Sequence, residues 1–278
     1  MSLSIRPVAM KIGLGVAVAA LAAGSTVAGV AAASASSTGR PAATTTTIDH
    51  QLCYKADAPG FQPPGNVLLQ DEFSTTPFAP QVGPAVIHCN PVAKTVPSGQ
   101  VFPITNPNAH LLCFNIAEPA QPTPLVRVVN QFGAATLQPS QPNLLCLPTW
   151  KSLTGPPEQK AAAPPGLGHF TCYPVKPVTG AYRPPPVMLQ DEFAPKPVSA
   201  QVSPVPVELC VPTQKTVNGK VYKIIKPRWH LLCFPVSPTP IITPVFDKNQ
   251  FGNAPVNIGQ TTWLCPPSTL KILSTSGG

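Results

Sequence analysis

Apolar residues in this chain come in short runs, alternating with polar residues or rich in β-branched ones, and proline, glycine or asparagine ends each run. Leu125-Val126-Arg127-Val128-Val129, Gly99-Gln100-Val101-Phe102-Pro103-Ile104 and Gly219-Lys220-Val221-Tyr222-Lys223-Ile224 are of this kind. A two-residue period bounded by turn formers predicts strands. Beyond residue 47 no stretch sustains a helical period, because prolines interrupt every candidate. Counting the runs gives about seven or eight strands in each half, which suits a two-sheet sandwich or a small closed barrel. The predicted fold class is therefore all-β: two tandem, disulfide-stapled sandwich or barrel domains.

The pattern repeats four times. Copies open at His50-Gln51-Leu52-Cys53, His110-Leu111-Leu112-Cys113, His169-Phe170-Thr171-Cys172 and His230-Leu231-Leu232-Cys233, with intervals of 60, 59 and 61 residues between the leading cysteines. Such self-similarity fixes architecture before any single motif does. An acid or amide pair before phenylalanine follows in each copy: Asp71-Glu72-Phe73, Asn130-Gln131-Phe132, Asp191-Glu192-Phe193 and Asn249-Gln250-Phe251. The third landmark is Cys-x-Pro with a lysine beyond it: Cys89 with Lys94, Cys146 with Lys151, Cys210 with Lys215, and Cys265 with Lys271 one residue late. Copies one and three share Asp-Glu-Phe, and copies two and four share Asn-Gln-Phe-Gly, so a paired unit was itself doubled.

These landmarks predict units at 48–94, 110–151, 169–215 and 230–271. Structured connectors join the first pair into a domain at 48–154 and the second into a domain at 169–274. Residues 155–168 (GPPEQKAAAPPGLG) lack pattern and read as the linker. A lone unit is marginal in size for one core, whereas a pair is comfortable.

The first 35 residues read as a secretory signal peptide. Arg6 and Lys11 precede an apolar, small-residue run that leads to Ala33-Ser34-Ala35, an A-x-A cleavage site. Residues 36–47 read as a flexible lead-in. No other apolar run is long enough for a transmembrane helix in the mature chain. Export makes the eight cysteines (Cys53, Cys89, Cys113, Cys146, Cys172, Cys210, Cys233 and Cys265) a disulfide framework. Pairing within units is preferred, although Cys53–Cys146 with Cys89–Cys113 is equally symmetric. The within-unit loops each contribute roughly 3–4 kcal/mol in the chain-entropy picture. The 40 prolines suit strand edges and loops, where a missing N–H costs little.

Candidate chemistry is sparse. His50, His110, His169 and His230 each stand three residues before a cysteine, which suggests zinc. On a strand, however, residues i and i+3 face opposite sides, so the expected role is structural: each histidine starts a strand and holds a neighbouring loop. His88 has no counterpart in the other units. Asp71-Glu72 and Asp191-Glu192 suggest acid–base work, but Asn-Gln replaces them in the sister units, and an amide cannot shuttle protons at neutral pH. Hydrogen bonding to turn backbone beside the phenylalanine is what survives that exchange. No nucleophile elbow, metalloprotease motif or phosphate loop occurs. No catalytic residue and no cofactor are expected.

One stretch breaks the regularity. Lys215, Lys220, Lys223, Lys226 and Arg228 lie close together with no acid among them, beside Tyr222 and Trp229, whereas the matching connector of the first half keeps only Lys94. This is the candidate anionic-ligand patch. Its bland alternative is a strand edge guarded by lysines.

The ordered landmarks H-L-x-C-Y/F, D/N-E/Q-F(-G) and L-C-x-P-x-x-K resemble a domain family of unknown function found in tandem in secreted bacterial proteins, over about residues 48–274. The resemblance implies export and a β-rich fold and supplies no catalytic residues. Units one and three depart from its Gln-Phe-Gly form. The expected function is that of a secreted, non-enzymatic structural or binding protein of the extracellular space or cell envelope. Its expected partner is an anionic polymer or envelope surface, without specific nucleic-acid recognition. The rival is metal binding through the repeated His-x-x-Cys residues.

Overall fold

The computed structural model describes residues 48–274 apart from 75, 119–121, 160 and 240–242. The signal-peptide and lead-in expectations lie outside the described residues. Every regular element described is a strand. The first unit and its connector carry β1 (Gln51–Asp57), β2 (Val67–Gln70), β3 (Gln81–Pro91), β4 (Ala93–Thr95) and β5 (Val101–Phe102). The second carries β6 (His110–Ala117), β7 (Leu125–Asn130), β8 (Gly133–Pro139) and β9 (Leu144–Ser152). The third carries β10 (His169–Tyr182), β11 (Val187–Gln190), β12 (Val198–Ala200), β13 (Glu208–Val217) and β14 (Lys220–Tyr222). The fourth carries β15 (His230–Pro235), β16 (Thr243–Asn249), β17 (Gly252–Cys265) and β18 (Pro267–Ser274).

Two strands from each unit close into one antiparallel ring. Its order is β1, β3, β6, β9, β10, β13, β15, β17 and back to β1. Small barrels of this size are filled by side chains, and here the filling is sulfur. Cys53 pairs with Cys89, Cys113 with Cys146, Cys172 with Cys210 and Cys233 with Cys265. In the first three units the register sets the partners directly opposite each other on adjacent strands. Sulfurs also meet between units, with Cys53 Sγ 3.7 Å from Cys265 Sγ and Cys146 Sγ 3.6 Å from Cys172 Sγ. With Ile87, Leu111, Leu144, Phe170 and Leu231 the half-cystines form one buried cluster. A gap of about 10 Å³ at its centre has no polar lining and scarcely admits one water.

The outer face of the ring is apolar as well, since residues one step from the cysteines point outward. Leu52, Tyr54, Leu112, Phe114, Leu145, Leu209, Leu232 and Phe234 belong to a second, larger cluster. The segment between the two ring strands of each unit covers this face, and it docks on the tail of the unit opposite. β2 of unit one pairs with the end of β13, and β11 of unit three pairs with β4. β7 of unit two pairs with β18, and β16 of unit four pairs with the end of β9.

The all-β, disulfide-stapled class expected from sequence is what the structure shows, in barrel form. The division into domains at 48–154 and 169–274 needs correction. β1 pairs with β17, β9 with β10, and all four covering segments cross between the halves, so residues 48–274 form one interlocked body. The described residues of 155–168 form a loop between two neighbouring ring strands. The lysine register changes too. Lys94 and Lys215 lie opposite Leu189 and Leu69, each two residues before an Asp-Glu pair, and the residue opposite Val128, two before Asn130, is Leu270. The fourth unit thus has leucine at the lysine position, and Lys271 is its neighbour.

Candidate anion-binding face

The repeated motifs are spent on joints between units. The first member of each acid or amide pair caps its own turn. Asp71, Asn130, Asp191 and Asn249 accept from the backbone N–H of Phe73, Phe132, Phe193 and Phe251 at 2.9, 2.8, 3.0 and 2.8 Å. These are Asx turns, which asparagine and aspartate make equally well. The second member reaches the histidine of the preceding unit around the ring. Glu72 lies 2.6 Å from His230 Nε2, Gln131 2.6 Å from His50 Nε2, Gln250 2.8 Å from His169 Nε2 and Glu192 3.7 Å from His110 Nε2. Burial drives His50 and His169 down to about 3, aided by Lys94 and Lys215 respectively, so both imidazoles are neutral. Burial holds His110 well below its ordinary value, with Lys151 and His88 adding to the effect.

The lysines complete the joints. Lys94, Lys151 and Lys215 are buried, with Nζ 4.3, 4.3 and 4.5 Å from the ring centroids of Phe102, Phe193 and Phe251. Lys151 also pairs with Glu192 and donates to Asn90 Oδ1 at 2.6 Å. Among the described residues, Lys94 and Lys215 have no hydrogen-bond acceptor at Nζ. Burial lowers all three amines to about 7, while the ring faces attract the charged form.

His88 is fully buried, bonded to Asp247 at 2.9 Å and Asn90 at 3.0 Å. Nothing in the sequence marked this network, because Asn90 fills the variable position of Cys-x-Pro and Asp247 lies outside the repeated landmarks. The sulfurs of Cys146, Cys172 and Cys210 lie within 4.8 Å of one another, as a metal would need, but all three are in disulfides. The histidines three residues upstream point away from them, into the joints.

The basic stretch remains as an accessible surface. Lys220, Lys223, Lys226 and Arg228 are exposed along β14 and the loop into β15, with Tyr222 and Trp229 half-buried among them. Lys220 Nζ lies 5.0 Å from the Tyr222 ring and Lys226 Nζ 5.2 Å from the Trp229 ring. Lys215 does not belong to this surface: it lies beneath Tyr222 in the joint, 0% exposed. Beside the loop runs a groove of about 300 Å³ lined by Asn130, Arg228, Trp229, His230 and Ser268 among others. His230, 4% exposed, has no hydrogen-bond partner at Nδ1 among the described residues. A groove of about 330 Å³ by Gln100, Phe102, Gln131 and Phe132 carries no charged residue in its lining.

The two connectors are copies in backbone. Residues 101–110 and 221–230 have the same strand, bend and turn sequence. They differ in charge: Gln100, Pro103, Asn106 and Asn108 of the first become Lys220, Lys223, Lys226 and Arg228 of the second. Four positions that are neutral in one copy are cationic in the other, on the same backbone. Among the described residues no helix is long and apolar enough to cross a membrane. The four disulfides, with no cysteine left free, are compatible with an extracellular location. No family model, curated protein or solved structure matches the chain.

Proposed function

We propose that this chain is a secreted, non-enzymatic binding protein of the extracellular space or cell envelope, and that it presents the 217–229 connector to an anionic polymer. One observation carries the reading: of two connectors with one backbone, only one carries four exposed cations. The neutral copy makes the same loop without them. Support for a non-enzymatic role comes from the committed side chains. The repeated carboxylates cap turns, the repeated histidines hold joints, and the cysteines are paired. Four paired disulfides in a chain with no free cysteine support export.

The test is retention of the oxidised protein on immobilised polygalacturonate, dextran sulfate and neutral dextran. Salt-sensitive retention on an anionic matrix is expected, with none on neutral dextran. The triple variant Lys220→Ala, Lys223→Ala, Lys226→Ala is expected to elute with the unretained fraction. Wild-type protein that ignores both anionic matrices, or a triple variant retained as strongly as wild type, would sink the proposal.

A further inference from the structure

The first connector is closed by a carboxylate from its own chain. Asp49 accepts from the Thr105 backbone N–H at 3.1 Å to either oxygen, from the Thr105 hydroxyl at 2.6 Å and from the Asn106 N–H at 2.7 Å. Two successive N–H groups converging on one anion are a backbone nest. Asp49 stands directly before His50, and the residue directly before His169 is Gly168. The second loop keeps its shape: Trp229 N–H bonds Lys226 C=O at 3.1 Å, as Ala109 N–H bonds Asn106 C=O at 3.1 Å. Gly168 also keeps its place, since a Cβ there would lie 3.5 Å from Ile225 Cγ1. The N–H groups of Ile225 and Lys226, counterparts of Thr105 and Asn106, meet no protein acceptor among the described residues.

We propose that the backbone N–H groups of Ile225 and Lys226 dock a carboxylate of the ligand, in the position that Asp49 fills from within the chain in the other half. This deepens the reading of the cationic connector as the binding face and rests on it for the polymer. The loop that lacks a counterpart of Asp49 is also the loop that carries four cations, so the field around the open nest is positive where the other copy places an internal anion. Lys223, Lys226 and Arg228 supply charge, and the two N–H groups supply direction. A carboxylate is the ligand group named because the internal occupant is one. An acidic polysaccharide bearing uronate groups is the matching polymer.

The experiment uses amide NMR shifts and affinity together. Acetate titrated into the full oxidised protein should move the Ile225 and Lys226 amides and leave those of Thr105 and Asn106 in place. Sulfate and phosphate arms report whether the nest prefers a planar carboxylate. Gly168→Asp supplies the missing carboxylate. Its Cβ meets only ordinary contact, and no left-handed backbone is required there. That variant should show the 225 and 226 amides already shifted and bind polygalacturonate about tenfold or more weakly. Val221→Asp, on the same exposed strand, adds equal charge outside the nest and should weaken binding much less. In Asp49→Gly, acetate should begin to move Thr105 and Asn106.

Amides 225 and 226 unmoved by acetate, or equal losses in Gly168→Asp and Val221→Asp, would overturn the nest. Polymer binding that needs Lys220, Lys223 and Lys226 but ignores Gly168→Asp would leave the binding face standing and remove the nest alone. Wild-type protein that binds no polymer, while acetate moves the two amides, would remove the function and leave the nest.

Discussion

Gln51 occupies the ring position that Leu111, Phe170 and Leu231 hold in the other units, two residues before the first cysteine. It is fully buried, and among the described residues neither its amide nitrogen nor its amide oxygen has a partner. An unpaired buried amide costs about 1–3 kcal/mol, and leucine has similar volume. Gln51→Leu should therefore raise stability by about 1–3 kcal/mol, read from urea unfolding without reductant. A less stable variant would mean that the amide is bonded after all. The buried lysines give a second test at this scale. Each amine titrates near 10.5 when unfolded and near 7 when folded. Between those values the unfolded chain binds more protons, so stability rises with pH across that window. The raised acid Glu208, near 8, acts oppositely below pH 8, which leaves pH 8 to 10 as the window for the lysines. Melting temperature should climb there, and Lys94→Met with Lys215→Met should flatten the climb. An unchanged slope in the double variant would show that these amines are charged in the fold.

At the scale of the element, the turn after β2, β7, β11 or β16 explains why two chemistries alternate around the ring. Where the turn begins with aspartate, its second oxygen accepts from a tyrosine hydroxyl: Asp71 from Tyr173 and Asp191 from Tyr54, each at 2.7 Å. Where it begins with asparagine, the residue after the matching cysteine is Phe234 or Phe114, packed edge-on against Phe132 or Phe251. Acid goes with hydroxyl and amide with plain ring, across units that lie opposite in the ring. Tyr173→Phe or Asp71→Asn alone should each cost about 1–3 kcal/mol, and the pair together clearly less than their sum. Additive losses in that cycle would show the two residues to be uncoupled. The capping half of this was legible from sequence, because Asn-Gln substituting for Asp-Glu leaves hydrogen bonding as the shared property. The tyrosine partner was not, since it sits 102 residues away and nothing local encodes that distance. The Lys271 assignment failed for a similar reason. Counting from Cys265 skips the break at Pro266, whereas pairing with β7 fixes Leu270 as the equivalent residue.

For the whole molecule, local periodicity showed strands, turns and four copies, yet it could not show which copy each strand joins. Alternation sets the face that a strand buries; partners are chosen by long-range fit. Residues 155–168 looked like a linker because those described form a genuine irregular loop, but the strands on either side, β9 and β10, are ring neighbours. Closure has a consequence for the halves. A chain of residues 48–154 supplies four of the eight ring strands and keeps both its disulfides, yet leaves two open edges and uncovers the outer face over β4 and β9. Open edges and exposed apolar faces favour association. Expressed alone, this half should yield no folded monomer; any folded material should be a dimer in which a second copy takes the place of 169–274. Cleaving the intact protein within 155–168 should leave both fragments co-eluting under native conditions. They should part in denaturant without reductant, because every disulfide lies within a unit. Size exclusion with light scattering reads both outcomes. A stable, dispersed-spectrum monomer of 48–154 would restore the two-domain arrangement and undo the ring.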